Sequence, residues 1–340
     1  MENNFCIILA GGIGSRFFPL SGKKKPKQFL DLFNENESLI QKTFNRVSKF
    51  IDTKHIYIVT YKDYFDLVAK HLPSIPLENI LCEPIQKNTA GSIAFGSYTI
   101  YKKNSKSKII VCPADHLIEN DAEFINTCKT AFSELDKKSN IITLGITPTE
   151  PHTGYGYIKI NHTENKITNV LEFKEKPNLE NAKKFLNEGN YLWNSGIFIF
   201  NSEDIINEYK LHKPELHKSF NQILNSSFNV DRIFSDIEKI SFDYAILENS
   251  TKIDVIKINI DWSDLGSYSA LYQKSKKDDN GNVINSSAHQ LDNCQNNIIL
   301  LPKDKKIIIK GINNYIIAEN NDTILIYPKD KDQNIKNLNN

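Results

Sequence analysis

The sequence predicts an α/β fold, a doubly wound and mainly parallel sheet with helices on both faces, followed by a small all-β region. Three observations lead there. Unbroken apolar runs of strand length, the first being Phe5-Cys6-Ile7-Ile8-Leu9, are the mark of strands buried on both faces. They alternate across short turns with segments of helical periodicity, the pattern of repeated strand–helix units. Past residue 296 the pattern changes to short, regularly spaced apolar runs separated by Asp, Asn, Gly and Lys. With 340 residues the chain exceeds one ordinary core. A main domain over 1–275, a polar linker over 276–293 and a small β domain over 294–340 are therefore expected.

The first strand runs straight into a glycine loop that begins at Ala10 and Gly11. Residues 38–47 then show apolar positions at helical spacing behind Ser38, a residue type that caps helices. The run His55-Ile56-Tyr57-Ile58-Val59-Thr60 is the second strand, 64–71 its return helix, and Ile80-Leu81-Cys82 a short third strand ending at Glu83. Asn88 opens a helix of small residues reaching Lys102, and Lys108-Ile109-Ile110-Val111-Cys112 ends at Pro113-Ala114-Asp115-His116. A helix over 121–135 and the strand Ile141-Ile142-Thr143-Leu144-Gly145 complete the alternation. From Pro151 the pattern shifts, and 157–160 with 167–173 reads as a strand pair around the polar turn 161–165, an insertion placed to wall a site. Helices are expected over 179–186, 202–209, 215–224 and 243–248, strands over 191–200 and 253–258, and a helix from Tyr268 closes the main domain. The final runs, 297–301, 306–310, 315–318 and 323–327, bury little surface alone. They are expected to pack on the main domain or on a second copy of the chain, which makes a homodimer the expected assembly.

A hydrophobic content of 40% with 24% charged residues is that of a globular chain. The net charge of +1 provides no global field for nucleic acid or an acidic membrane, so anion binding has to be local. Lys23-Lys24-Lys25 stands without an aromatic platform, which argues against a nucleic-acid module. Cys6, Cys82, Cys112, Cys128 and Cys294 are scattered and include no CxxC pair, so they read as free thiols in a reducing compartment. With neither a basic leader nor an apolar run near about 18 residues, a cytoplasmic protein with no membrane partner is expected.

In sheets of this kind ligands gather beyond the carboxyl ends of the strands, where the glycine loop, Glu83 and Asp115 all fall. Gly11, Gly12 and Gly14 let backbone N–H groups approach an anion, Arg16 offers a fork to phosphate oxygens, and Lys27 adds a compact charge. Taken alone, GGxGxR fits a glycine turn with solvated cations equally well, and its spacing is neither GxGxxG nor GxxxxGK[ST]. Asp115 and Asp264, each just past a strand, read as turn aspartates or as ligands of Mg²⁺, which takes one or two carboxylates with phosphate oxygens and water. Lys174-Glu175-Lys176-Pro177 alone is a charged turn. Asn194 lies inside an apolar strand and needs a partner for its amide.

The whole string LAGGIGSRFFPLSGKKKPKQFL closely resembles the signature of sugar-1-phosphate nucleotidylyltransferases, and its PKQFL ending is similar to the mannose-1-phosphate guanylyltransferase branch. PADH at Asp115, TGYGY from Thr153, FKEKP from Phe173, WNSG from Trp193 and WSDLGS from Trp262 follow in family order. The resemblance implies a Rossmann-like nucleotidyltransferase domain of the glycosyltransferase-A kind with a left-handed β-helix-like appendage. It implies an enzyme of GDP-mannose biosynthesis that joins GTP and α-D-mannose 1-phosphate with Mg²⁺, releasing diphosphate. Asp115 and Asp264 would hold the metal, Arg16 and Lys27 the leaving phosphates, and Lys176 the sugar phosphate. Leu9, Ala10, Gly11, Gly12, Gly14, Ser15 and Asn88 would meet the nucleotide, with Glu83 accepting from the adjacent N–H donors of guanine. Gly156, Glu175 and Asn194 would meet the sugar. One segment departs from the family pattern EPxxRNTAPA, because Lys87 stands for its Arg and Gly91 for its second Pro. Asp243 and Asp261 stay outside the ligand set. The competing readings are a transferase for another nucleotide or sugar phosphate, and a silent regulatory subunit. Intact Arg16, Lys27, Asp115 and Asp264 argue against the silent subunit.

Overall fold

The computed structural model describes residues 3–338 except Glu164, Ser226, Ser227, Ser287 and Asn321. Glu164, in the polar turn expected at 161–165, lies outside the described residues. The first elements are β1 (Asn4–Leu9), α1 (Leu39–Ser48), β2 (Ile56–Tyr61), α2 (Phe65–His71), β3 (Ile80–Glu83), α3 (Thr89–Lys103), β4 (Lys108–Pro113), the short β5 (Leu117–Ile118), α4 (Asp121–Glu134) and β6 (Ile141–Ile146). Then come β7 (Tyr157–Ile160), β8 (Ile167–Lys174), α5 (Leu179–Glu188), β9 (Tyr191–Asn201), α6 (Ser202–His212), α7 (Pro214–Asn221), α8 (Val230–Asp236), a π-helical turn Asp243–Leu247, β10 (Ile253–Ile258), the short β11 (Trp262–Ser263) and α9 (Tyr268–Lys274). The C-terminal strands are β12 (Val283–Asn285), β13 (Ala288–Asp292), β14 (Ile298–Leu300), β15 (Lys306–Lys310), β16 (Tyr315–Glu319) and β17 (Ile324–Pro328). Helix ends follow side-chain chemistry. Asn120 Oδ1 accepts from Glu123 N at 3.2 Å to cap α4, and Asn178 Oδ1 accepts from Asn181 N at 2.9 Å to cap α5, which ends at Gly189 with φ 71°.

Two compact units form. The first comprises Met1–Gly11, Thr43–Ala114 and Ile118–Trp262. Among the described residues its sheet has nine strands in the order β3-β2-β1-β4-β9-β6-β10-β8-β7. β1 lies parallel between β2 and β4, β2 is parallel to β3, and β6 to β10. β9 runs antiparallel to both β4 and β6, while β8 is antiparallel to β10 and β7. The sheet is therefore mixed, which corrects the expectation of a mainly parallel one. A buried strand such as β9 is apolar in either direction, so its composition does not reveal its polarity. Nor do 157–160 and 167–173 stand apart as an insertion, because β7 and β8 extend the main sheet and β7 also pairs with β9. Ile7, Val59, Val111, Phe95, Phe200 and Phe234 belong to one core between sheet and helices. α3 comes close to β1 because Gly96 has no side chain; a Cβ there would lie 2.6 Å from Ile7 Cδ1.

The second unit comprises Gly12–Lys42, Asp115–Leu117 and Ser263–Asn340. Its core joins Phe17, Leu30 and Leu39 to Tyr268, Ile298, Ile316 and Ile335. The segment 276–293, read as a linker, carries β12 and β13. β12, β14 and β16 are parallel neighbours, as are β13 and β15, and β17 returns antiparallel on β16. Buried amides join successive turns of the chain. Asn297 Nδ2 donates to Asn282 Oδ1 at 3.0 Å and to Ile312 O at 2.7 Å, and Asn297 Oδ1 accepts from Tyr315 N at 2.9 Å.

Candidate functional site

In the second unit, Gly14 is the tightest point of the glycine loop. Its φ is 73°, and a Cβ there would lie 2.3 Å from Lys27 Cβ, so a side chain is excluded by both conformation and space. Ser15 and exposed Arg16 form a single 3-10 turn behind it with Phe17. Lys27 N donates to Ile13 O at 3.1 Å, which lays the PKQFL segment alongside the loop. The Lys27 side chain is buried, at 4% exposure, and its Nζ lies 2.9 Å from Asp115 Oδ2 and 2.6 Å from the Asp264 carbonyl oxygen. One ammonium thus bonds the Asp115 carboxylate and the Asp264 main-chain carbonyl. Burial pushes the Asp115 carboxyl up, but the charges of Lys27 and His116 and the Lys27 hydrogen bond outweigh it and hold it below the usual range. Asp264 Oδ1 accepts from Gly266 N at 2.9 Å, and a Cβ on Gly266 would lie 2.6 Å from Asp264 Oδ2. Leu265 between them has φ 45°, a strained conformation for a branched residue.

In the first unit, Glu83 ends β3 at 3% exposure and accepts from Ser92 Oγ. Burial raises its carboxyl to about 7 against the Ser92 hydrogen bond, which pulls the other way. A Cβ on Gly11 would lie 3.5 Å from Glu83 Oε2, so the loop backbone passes close to this carboxylate. Gln86 Nε2 donates to Gly11 O. Leu9 O accepts from Ala114 N, while Ala10 N donates to Val59 O and Ala10 O accepts from Thr60 Oγ1 at 2.9 Å. Those backbone groups serve the sheet. Gly12 is exposed with open space where a Cβ would stand. Asn88, at φ 71°, accepts from Thr89 N at 2.8 Å and caps α3. The two departures from the family pattern have a structural reason. Lys87 Nζ donates to Ile237 O at 2.8 Å, and a Cβ on Gly91 would lie 3.1 Å from Ile237 Cδ1.

A second cluster of the first unit brings together the residues expected at the sugar. Asn194 N donates to Gly156 O at 2.8 Å, and a Cβ on Gly156 would lie 2.6 Å from Glu175 Oε2. Lys176, in the left-handed region at φ 47°, pairs with Glu175. Asn194 Oδ1 accepts from Thr143 Oγ1 at 3.1 Å and from Gly196 N at 3.2 Å, which leaves its amide nitrogen to donate to Asp243 Oδ1 at 3.0 Å. Asp243 is the residue that sequence reading left out. It opens a π-helical turn, a rare form that recurs at functional sites, and periodicity cannot separate such a turn from an ordinary helix start. Burial, and next the Glu175 charge, push its carboxyl well above the usual range, against the pull of Lys176. Burial works against the Lys176 charge, but its hydrogen bond to Glu175 and the neighbouring carboxylates hold its pKa above the ordinary lysine value. Asp261 is exposed, and its backbone oxygen accepts from Glu119 N at 2.9 Å.

All five cysteines are free thiols, with Cys82 alone partly exposed. Among the described residues no helix is long and apolar enough to cross a membrane.

Residues 5–281 match the family described as Nucleotidyl transferase. The chain is 35% identical over 339 residues to the mannose-1-phosphate guanylyltransferase of Salmonella montevideo, and 33% identical over 334 residues to that of Klebsiella pneumoniae. Each of these matches covers 94% of this chain and 69% of the relative. The fold matches that of the Thermus thermophilus protein named mannose-1-phosphate geranyltransferase, with a TM-score of 0.91, 24% identity, and coverage of 99% of this chain and 98% of that one. These matches run through the segments that carry the glycine loop, Asp115 and Asp264, and the chain is an enzyme of the nucleotidyl transferase family, in the branch that holds the mannose-1-phosphate guanylyltransferases.

Proposed function

We propose that the protein transfers a guanylyl group from GTP to α-D-mannose 1-phosphate, forming GDP-mannose and diphosphate. A phosphate oxygen of the sugar phosphate attacks the α-phosphorus in line. A new P–O bond forms there as the bond to the β-phosphate bridging oxygen breaks, and both electrons leave with diphosphate. The attacking oxygen is already anionic at neutral pH, so no general base is needed. The remaining task is to hold two mutually repelling anions together and to neutralise charge as it moves.

The observation that carries this reading is the Lys27 ammonium between Asp115 and Asp264, residues from distant parts of the chain. The donor set fits Mg²⁺. The Asp115 carboxylate and the Asp264 main-chain carbonyl, both hard oxygens, meet at one cation, and among the described residues no group of three or more His, Cys, Asp or Glu forms a complete protein cage. Asp115 and Asp264 would hold the ion, which when bound neutralises charge on the α-phosphoryl oxygens. Lys27 and Arg16 serve the leaving phosphates and Lys176 the attacking phosphate. Glu83, once ionised, accepts from the two adjacent N–H donors of guanine. Glu175, Asn194 and Asp243 address the hexose hydroxyls, since each carries oxygen or amide groups fixed by neighbours. The parallel pairing of Val283 with Ile298 and of Ile298 with Ile316 supports reading the C-terminal strands as a short coil of stacked turns.

A panel assay of diphosphate release tests the proposal, using purified protein, the four common nucleoside triphosphates and several hexose 1-phosphates. GTP with mannose 1-phosphate is expected to lead in kcat/KM by at least about tenfold. A clear preference for UTP or dTTP would refute it.

A further inference from the structure

The run Lys23-Lys24-Lys25 has no part in the chemistry above, yet it has a defined place. Gly22 N donates to Lys25 O at 3.1 Å and Lys25 N to Gly22 O at 3.2 Å, so the run tips a tight turn with all three lysines exposed. This turn lines a cavity of about 800 Å³ that lies wholly within the second unit. Lys303, from the C-terminal strands, lines the same cavity, and buried Leu30 and Leu300 give it an apolar part. Two of the carboxylates in the lining are already engaged. Asp31 accepts from the N–H groups of Glu35 and Asn36 at 3.0 and 2.8 Å, and Glu319 pairs with Lys305 at 3.3 Å. With Glu319 paired, four lysines face Asp31 and Asp322, so the cavity keeps a net positive charge inside a chain whose total is only +1; among these lysines Lys303 Nζ also donates to Asn36 Oδ1 at 2.9 Å.

We propose that this cavity is a second binding site, for a phosphorylated ligand of nucleotide size. Its volume falls in the range of small-molecule sites, lysines suit phosphate as mobile point charges, and the leucines offer a surface to a base or sugar ring. The cavity lining includes neither Lys27, Asp115 nor Asp264. Its wall is nevertheless tied to them. Ser21 Oγ donates to Gly14 O, and Lys25 is separated from Lys27 by Pro26 alone. A ligand that moves this turn therefore acts on the position of both Gly14 and Lys27, and occupancy is expected to change KM or kcat.

The test is calorimetric titration of the full chain with GDP at physiological salt. Wild type is expected to take up GDP in two phases. K23A/K24A/K25A should lose one of them, yet retain turnover within about twofold at saturating substrates without added GDP. Lys303→Ala, from a different segment, should weaken the same phase at least about fivefold. A single phase in wild type, or two phases of unchanged affinity in both variants, overturns the proposal.

Discussion

Lys27 and Asp115 form an ion pair of 2.9 Å in which the lysine side chain is almost wholly buried. The same ammonium donates to the Asp264 carbonyl at 2.6 Å, so removing it takes the counter-charge from the Asp115 carboxylate and a hydrogen-bond donor from the Asp264 main chain. Lys27→Ala is expected to lower kcat by about 10²- to 10³-fold, as loss of a preorganised electrostatic contact does. The Asp115 carboxyl should also titrate at a higher pH in that variant, which carboxyl-labelled NMR checks. Unchanged turnover would remove Lys27 from the mechanism.

Gly14→Ala places a methyl where Lys27 Cβ stands and forces an L-residue to φ 73°. Stability should fall by about 1–3 kcal/mol in denaturant titration. Turnover should fall with it, because relief of the contact moves Lys27 away from Asp115.

Glu83 has its pKa raised to about 7 by burial, above its unfolded value. Between those two values the folded chain binds more protons than the unfolded one. The stability it contributes is therefore complete below the unfolded value and lost as pH rises through about 7. In the role proposed for Glu83 at the base only the ionised form accepts, so KM for GTP should fall as pH rises through the same range. Glu83→Gln should flatten both profiles, as read by thermal melts and by KM against pH.

Gly156→Ala drives a methyl toward Glu175 Oε2, at 2.6 Å. KM for the sugar phosphate is expected to rise about tenfold or more while KM for GTP stays within about twofold, since a displaced buried hydrogen-bonding group costs on the order of 1–3 kcal/mol. Equal effects on both substrates would detach Glu175 from the sugar.

Gly96→Ala tests the scaffold alone. Its new methyl would stand 2.6 Å from Ile7 Cδ1 where α3 crosses β1. The melting transition should drop by an amount equivalent to about 1–3 kcal/mol, and kcat at low temperature should be retained.

Strands such as β1 and β4 were legible because burial on both faces writes itself as an unbroken apolar run. The direction of β9 was not, since Phe198 and Ile199 are equally apolar against a parallel or an antiparallel neighbour. Motif residues stood out by rare type at fixed spacing, and the fold brings Gly14, Lys27, Asp115 and the Asp264 carbonyl together. Asp243 was hidden because one carboxylate ahead of a helical segment resembles any first-turn acid, and only the fold brings it to Asn194. Lys87 shows the converse. It stands where the family pattern has Arg, and its ammonium closes on the Ile237 carbonyl of a neighbouring segment.

The central claim, that Asp115 and Asp264 serve the triphosphate together, is tested most directly by diphosphate release as a function of Mg²⁺ in wild type, Asp115→Asn and Asp264→Asn. Each single variant, folded by its melting curve, should lose at least about 10²-fold in kcat, and the double variant should fall little further because the pair acts as a unit. Wild-type turnover that ignores Mg²⁺, together with variants that keep full activity, would contradict the account.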